Sequence, residues 1–187
     1  MKTAILIHGS FGHPEENWFP WLKKKLEDIE YQVLVPKFPS PPDQSLDNWM
    51  KVFEEYKEHI NSETIFIGHS LGPAFIMNVL ETMDNGDEKV KTCFFVSGFT
   101  GLINNPEFDK VNKTFTDKKF DFDKIKKRCE KFYVIHSDND PYVPKEKAQT
   151  LAKNLGVEVI WIKNGGHINE SAGYTKFEEL LEILKKS

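Results

Sequence analysis

The stretch Gly68-His69-Ser70-Leu71-Gly72 lies between two apolar segments, and this arrangement decides the fold of the chain. Residues 64–67 before it predict a buried strand, and residues 73–80 after it predict a helix. A turn this tight requires residues without a Cβ atom on both sides of the serine, whose own backbone is held in a strained conformation. The pattern therefore predicts that Ser70 Oγ stands above the carboxyl edge of a sheet.

A serine on such a strand-to-helix turn is typical of the nucleophile elbow of α/β-hydrolases. The same turn aims the amide of Leu71 and the N-terminus of the next helix at one point, where an oxyanion would form. The alternative interpretation is a glycine-rich turn with a surface serine. A catalytic serine needs a base and an orienting acid. The choice between the two interpretations therefore depends on whether the rest of the chain supplies them.

The composition is that of one ordinary globular domain: 187 residues, 39% of them hydrophobic and 29% charged. A net charge of −4 argues against a nucleic-acid partner or an anionic membrane surface. Cys93 and Cys129 are too few for a disulfide scaffold, so we expect free thiols and a cytoplasmic location. The apolar run at residues 4–7 is too short for a signal peptide, and no segment is long enough to cross a bilayer.

Short apolar runs alternate with segments of helical periodicity along the chain. The predicted strands cover residues 3–8, 32–36, 64–67, 89–96, 132–136 and 157–162. The predicted helices cover residues 18–30, 46–60, 73 to about 84–86, 145–155 and 174–185. The N-cap of the second helix is Asp43 or Ser45. Strands joined by crossover helices predict a single α/β domain over residues 1–187, with a six-stranded parallel sheet between two layers of helices.

His167 is the predicted base, because its loop follows the last predicted strand and so lies at the sheet edge that carries Ser70. The alternative is a surface histidine in a polar turn. Two aspartates after the fifth strand compete as the orienting acid. Asp140 precedes a proline, which makes it extended in the part of the loop over the edge, whereas Asp138 could bond local amides. We predict Asp140 for this reason, and the chain order is then Ser70, Asp140, His167, which is that of α/β-hydrolases.

The loop after the first predicted strand should adjoin the elbow and complete an oxyanion hole. Its glycines, Gly9 and Gly12, allow a backbone amide to turn inward. The N–H of Ser10 or of Phe11 would then act together with that of Leu71. The residues alone do not choose between Ser10 and Phe11.

Three further histidines, His8, His13 and His69, are candidate lining residues of the site. His69 is expected to pack beneath the elbow, and the other two lie near its mouth. No acidic ligand pattern joins His8 to His13, which argues against a metal site. The loop also lacks Gly-x-Gly-x-x-Gly and Gly-Lys-Ser/Thr, which argues against phosphate binding. We therefore expect neither a cofactor nor a metal.

Several segments share their residues and spacing with one known family. They are His8-Gly9-Ser10, Asn17 to Leu22, Val35-Pro36 to Pro39, Trp49, the elbow at residues 68–72, Asp140 to Pro144 and Gly165-Gly166-His167. Over nearly its whole length the chain resembles the small serine hydrolases of the retinoblastoma-binding protein 9 and bacterial YdeN-like family. The resemblance implies a compact α/β-hydrolase that lacks the first two strands of larger relatives. It also implies Ser70, Asp140 and His167 as the catalytic triad.

Residues 97–128 form the least regular segment and are expected to be a short cap-like connection with one helix that begins near Asp121 or Phe122. The segment contains five phenylalanines, at positions 99, 108, 115, 120 and 122. They either contribute to the cap or, as we expect for most of them, pack on the sheet. A small cap leaves a shallow site, which disfavours long-chain lipids.

These features predict a serine hydrolase that cleaves small carboxylic esters or amides through an acyl-enzyme intermediate. Two alternatives use the same fold. One is a protein-interaction module with little turnover, because a fold does not determine a function. The other is an acyltransferase that uses the same triad with an acceptor other than water. The sequence specifies no protein partner.

Overall fold

The computed structural model describes residues 1–84 and 89–187, and its centre is one parallel six-stranded sheet. The strands are β1 (Thr3–Ile7), β2 (Gln32–Leu34), β3 (Thr64–His69), β4 (Val90–Val96), β5 (Cys129–Ser137) and β6 (Val159–Ile162). Their order across the sheet is β2-β1-β3-β4-β5-β6. The chain therefore crosses back over β1 between β2 and β3, and the loops after β1 and β3 become neighbours at the carboxyl edge. The predicted parallel sheet is confirmed.

Helices follow or precede each strand, as the periodicity predicts. They are α1 (Phe19–Glu27), α2 (Leu46–Phe53), α3 (Gly72–Thr82), α4 (Pro106–Thr116), α5 (Phe122–Arg128), α6 (Lys145–Leu155) and α7 (Glu178–Lys185). Helix α2 is shorter than predicted because residues 54–59 form a 3-10 helix. Ser45, rather than Asp43, caps α2 by accepting a hydrogen bond from the Asn48 amide. The predicted end of the third helix at residues 85–86 lies outside the described residues.

Side chains of successive strand residues alternate between two buried cores, one on each face of the sheet. In β1, Ile5 and Ile7 belong to the core under α2 to α6, while Ala4 and Leu6 belong to the core under α1 and α7. Because both faces are covered, the central strands carry consecutive apolar residues rather than alternating ones. This accounts for the continuous apolar runs in the sequence.

The segment of residues 97–128 contains two helices, α4 and α5, where the sequence analysis expected one. Helix α5 begins where predicted, because the Asp121 side chain accepts a hydrogen bond of 2.9 Å from the Lys124 amide. The missed helix α4 has its own sequence signal. Asn105 caps it by accepting from the Glu107 amide, and Pro106 occupies its first turn. Three of the five phenylalanines, Phe99, Phe115 and Phe120, are buried in the core, as expected for most of them.

Cys93 and Cys129 are buried free thiols in β4 and β5. Burial first, and then the neighbouring Cys129, raises the pKa of the Cys93 thiol well above its ordinary value. Over residues 1–84 and 89–187, none of the helices combines the length and the apolar character needed to cross a membrane.

Candidate active site

The turn between β3 and α3 holds Ser70 in a left-handed conformation, with φ of 58°. Its amide donates to the carbonyl of Val96 on the adjacent strand, at 2.9 Å. A Cβ atom on Gly68 would lie 2.7 Å from the backbone nitrogen of Pro73, and one on Gly72 would collide with the carbonyl oxygen of Ile7. Both glycines are therefore required by close backbone approach, as the sequence predicts.

The loop after β1 lies against this turn, because β1 pairs with β3 and Ile7 stands opposite Gly68. A Cβ atom on Gly9 would lie 2.9 Å from Ser70 Cβ and 3.4 Å from Ser70 Oγ. The serine side chain thus faces the loop, and the absence of a side chain on Gly9 leaves the space that Ser70 occupies. The structure brings Ser70 and the predicted oxyanion loop together.

Asp140 and His167 form the central polar pair of the site. Asp140 Oδ2 is 2.8 Å from His167 Nδ1, and the Asp140 side chain is only 1% exposed. The other carboxylate oxygen, Oδ1, accepts hydrogen bonds from the amides of Tyr142 and Val143 at 2.9 and 3.0 Å. Since Asp140 can only accept, Nδ1 of His167 carries the proton and Nε2 is left as the acceptor when the ring is neutral.

Two opposing effects act on the Asp140 carboxyl. Burial alone would raise its pKa, because water no longer solvates the charged form. The hydrogen bond and charge of His167, together with the two backbone amides, outweigh burial and place the pKa below its ordinary value. Asp140 is therefore an anion at neutral pH, as an orienting acid must be.

Three consecutive side chains at the end of β5 and in the loop after it hold the loop of His167. Asp138 Oδ1 accepts from the Asn164 amide, Ser137 Oγ accepts from that of Gly165, and Asn139 Oδ1 accepts from that of Gly166, each at 2.8 Å. Asp138 is thus bound to the histidine loop and not to local amides. The sequence analysis did not identify the roles of Ser137 and Asn139, since their partners lie more than 25 residues away.

His69 lies beneath the site, as expected, and supports His167 from below. Its Nε2 donates to the carbonyl oxygen of His167 at 2.9 Å, and the two rings are 4.9 Å apart. Ser97 Oγ donates to the same oxygen at 3.3 Å. Burial first, and then the charge of His167, lowers the pKa of His69 to about 3. His69 is therefore neutral and buried, with only 3% of its surface exposed.

Ser70 and His167 share one site but are not hydrogen-bonded to each other. Among the residues that the structure describes, no hydrogen bond joins Ser70 Oγ to the His167 imidazole. Catalytic hydrogen bonds in ligand-free sites are often long and tighten when substrate binds.

The two candidate donors of the loop after β1 differ in their contacts. The Phe11 amide donates to Gln44 Oε1 at 3.1 Å, and Phe11 has a φ of 59°. Within the described residues the amide of Ser10 has no such partner. The Ser10 side chain donates to Asn112 Oδ1 at 2.5 Å, and Gln44 Nε2 donates to the same oxygen at 3.0 Å. Gln44 and Asn112, which the sequence analysis missed, thus tie this loop to helix α4.

The remaining predicted lining residues do not share one environment. His8 is fully buried, with its ring 5.4 Å from that of Phe38 and 5.1 Å from that of Trp49. Its imidazole is therefore not on the surface of the mouth. His13 is exposed, and its Nδ1 accepts from the Glu15 amide at 3.2 Å.

Glu16 is an acidic residue near the site that the sequence analysis did not single out. Its carboxyl group packs against Gly12, where a Cβ atom would collide with it. Burial raises the pKa of Glu16, against the opposing effects of His13, the backbone amides of the loop and His167. Over residues 1–84 and 89–187, no group of three or more histidine, cysteine, aspartate or glutamate side chains is arranged to hold a metal ion.

Comparison with known proteins gives matches over the full length of the chain. A family model described as "Serine hydrolase" matches residues 4–186. YdeN of Bacillus subtilis (strain 168) is 28% identical over 183 residues, which are 98% of this chain and 94% of YdeN. The serine hydrolase RBBP9 of Rattus norvegicus is 28% identical over 185 residues, which are 97% of this chain and 93% of that protein.

Solved structures match as well. The crystal structure of the ydeN gene product from B. subtilis superimposes with a TM-score of 0.91 at 27% identity and covers 100% of this chain and 98% of its own. The crystal structure of polyneuridine aldehyde esterase gives a TM-score of 0.68 at 17% identity, over 100% and 98% of the two chains, a likeness in fold alone. The fold class predicted from the sequence is confirmed.

Proposed function

The chain belongs to the serine hydrolase family, as its sequence predicts, and we propose that it cleaves small carboxylic esters or amides through an acyl-enzyme intermediate. In this proposal His167 Nε2 takes the proton from Ser70 as Oγ attacks the carbonyl carbon. His167 then gives that proton to the leaving group, whose bond to the carbonyl carbon breaks. Water then attacks the acyl group while His167 takes a proton from the water. The bond between the carbonyl carbon and Ser70 Oγ breaks, and His167 returns the proton to Ser70.

One observation carries this proposal. His167 Nδ1 lies 2.8 Å from Asp140, whose side chain is 1% exposed and whose pKa is lowered below its ordinary value. A buried anion in this position orients the imidazole and stabilises the imidazolium that forms during attack. Ser70, with φ of 58° on its tight turn, faces the same edge of the sheet.

The proposed oxyanion hole consists of the amides of Leu71 and Ser10. Leu71 stands at the N-terminus of helix α3, where the helix dipole favours negative charge. The Ser10 amide is preferred over that of Phe11, because the Phe11 amide already donates to Gln44. Two such donors stabilise the charge that develops on the carbonyl oxygen.

We assign residues 97–128 the role of a short cap. Helices α4 and α5 are 11 and 7 residues long, and α4 contacts the oxyanion loop through Asn112. A cap of this size leaves room for a small substrate and does not roof a deep acyl tunnel. This favours short esters or amides over long-chain lipids.

The test of the proposal is labelling by a fluorophosphonate probe, followed by turnover of short p-nitrophenyl esters and aminoacyl amides. The wild-type protein should be labelled, and labelling should be lost in Ser70→Ala and largely lost in His167→Ala. Ser171→Ala, which removes an exposed serine, is the matched control and should be labelled like the wild type. Labelling that survives Ser70→Ala would disprove the assignment of the nucleophile.

A further inference from the structure

Three aromatic side chains from separate parts of the chain form a row of ring contacts that ends at His167. Phe11 comes from the loop after β1, Phe108 from helix α4 and Tyr142 from the loop after β5. The ring of Phe108 is 5.7 Å from that of Phe11 and 5.7 Å from that of Tyr142. The Tyr142 ring lies edge-on to the His167 imidazole at 5.1 Å. We call these three residues the aromatic ledge.

The ledge exposes aromatic surface that the core does not use. Phe11 is 43% exposed and Tyr142 is 40% exposed, and neither belongs to the buried cores. Within residues 1–84 and 89–187, the large aromatic side chains that are exposed are these two and Trp161. Of these three, Tyr142 contacts the imidazole of the proposed site, and Phe11 is joined to Tyr142 through the ring of Phe108. Clustered exposed apolar surface of this kind is typical of a binding site.

The contacts that build the site also hold the two exposed rings in position. The Phe11 backbone is kept at a φ of 59°, with its amide on Gln44 Oε1. The Tyr142 amide donates to Asp140 Oδ1 at 2.9 Å. A preorganised surface loses little conformational entropy when a ligand binds to it.

The position of Tyr142 indicates which part of a substrate meets the ledge. In the proposed mechanism His167 delivers a proton to the leaving-group atom, so the leaving group must lie on the His167 side of the carbonyl carbon. Tyr142 is in ring contact with His167, and Phe108 continues the surface from there. A leaving group larger than a few atoms therefore extends over the ledge.

We propose that the aromatic ledge binds an aromatic ring in the leaving alcohol of an ester substrate, an inference that rests on the proposed function. Rings that meet edge to face, as Phe11 and Phe108 do, or at a tilt, as Phe108 and Tyr142 do, present faces and edges that a further ring can contact. In the reaction the bond between the carbonyl carbon and the alcohol oxygen breaks. The acyl group stays on Ser70, and the alcohol leaves with the proton that His167 removed from Ser70.

The test compares two acetate esters whose alcohols are similar in size and differ in aromaticity, benzyl acetate and cyclohexylmethyl acetate. We expect wild-type kcat/KM to favour the benzyl ester by about two- to tenfold. Tyr142→Leu should bring this ratio close to one, whereas Tyr142→Phe, which keeps the ring, should preserve it. Because the result is a ratio within each variant, a general loss of activity cancels.

A second pair, methyl phenylacetate and methyl cyclohexylacetate, carries the ring on the acyl side. A preference found only in this pair would overturn the assignment to the leaving alcohol. A benzyl preference that survives Tyr142→Leu would overturn the role of the ledge. Fluorophosphonate labelling of the wild type distinguishes failure of the ledge proposal from failure of the proposed function. Normal labelling with a benzyl-to-cyclohexylmethyl ratio near one would overturn the ledge proposal alone. Absent labelling would overturn the proposed function and the ledge proposal with it.

Discussion

Asp140 uses its two carboxylate oxygens for different partners. Oδ2 faces His167 Nδ1, and Oδ1 accepts the amides of Tyr142 and Val143. One side chain therefore shapes its own loop and fixes the protonated nitrogen of the imidazole. Asparagine has the shape of aspartate without its charge. Because the two oxygens have different partners, catalysis should be sensitive to the substitution Asp140→Asn.

We expect Asp140→Asn to lower kcat by a thousandfold or more, on the order of the loss when an orienting acid is neutralised. The oxygen of the introduced side-chain amide can still accept the loop amides, which turns its –NH₂ group toward His167. That group can only donate, so Nδ1 must become the acceptor and Nε2 takes the proton, which prevents Nε2 from accepting the Ser70 proton. Steady-state kinetics on a p-nitrophenyl ester measure the effect.

Asp138→Asn is the matched control for this change. Asp138 is exposed and accepts a single amide hydrogen bond, from Asn164, which the asparagine oxygen can also accept. The kcat of this variant should fall by less than about tenfold, since one hydrogen bond is kept and loses only its charge assistance. If Asp138→Asn proved the more damaging of the two, Asp140 would not be the orienting acid.

At the residue scale, the sequence predicts the features that depend on local backbone geometry. The glycines around Ser70 restrict the chain within a few residues, and the close backbone approaches that require them are present in the structure. Gln44 and Asn112 could not be found this way. Their contacts with the loop after β1 join positions 33 and 102 residues apart, and no local pattern encodes such pairs.

At the element scale, helix α4 and the loop after β1 are joined by a buried polar network. Asn112, which is 1% exposed, accepts from Ser10 Oγ and from Gln44 Nε2 through one oxygen. Within the described residues its Nδ2 atom has no hydrogen-bond partner. Gln44 in turn accepts the Phe11 amide. The network ties the proposed oxyanion loop to helix α4, and both elements move as one unit if either is displaced.

We expect Asn112→Leu to lower kcat about tenfold with little change in KM, less than the loss of a whole oxyanion donor. The loop should lose its position relative to Leu71, and donors of this kind act on charge that develops only in the transition state. The measurements are kcat and KM for a short p-nitrophenyl ester, together with the melting temperature of each variant.

Asn78→Leu is the matched control for a buried asparagine. Asn78 is 3% exposed, and its Nδ2 donates to Ala74 and Phe115 carbonyls, away from the loop after β1. This variant should lower the melting temperature and leave kcat close to that of the wild type. An equal fall of kcat in both variants would indicate general destabilisation and contradict a positioning role for Asn112.

The elements themselves were predictable where their periodicity is strong. All six strands and five of the helices lie where the apolar pattern predicts them. Helix α4 was missed because its apolar residues are few and its exposed face is charged, so the cap at Asn105 and Pro106 is its clearest signal. The end of α2 differs from prediction because a 3-10 helix at residues 54–59 takes up the rest of the same periodic pattern, and α7 begins at Glu178 rather than at Tyr174.

At the scale of the whole molecule, the fold holds neutral histidines inside its cores. His8 is fully buried, and Phe38 N–H donates to its Nε2 at 3.3 Å, while its Nδ1 lies 2.9 Å from the carbonyl oxygen of Gly9. One ring nitrogen therefore accepts and the other donates, an arrangement that only the neutral ring satisfies. Burial is the main reason that the pKa of His8 falls to about 4, and that of His69 to about 3.

These two histidines should make the stability of the whole protein depend on pH. In the unfolded chain both have a pKa near 6.5, so below that pH the unfolded state binds more protons than the folded state. Stability is therefore fully present above pH 6.5 and is lost as the pH falls toward 4. Each histidine contributes a slope that approaches about 1.4 kcal/mol per pH unit in this window.

Urea unfolding at pH 6.5, 5.75 and 5.0 measures the free energy of unfolding, and His8→Gln should lower the slope by one histidine's share. A wild-type slope below about 1 kcal/mol per pH unit would contradict the conclusion that both histidines are neutral in the folded protein. Because this slope is measured on the wild type, the test does not depend on whether His8→Gln folds.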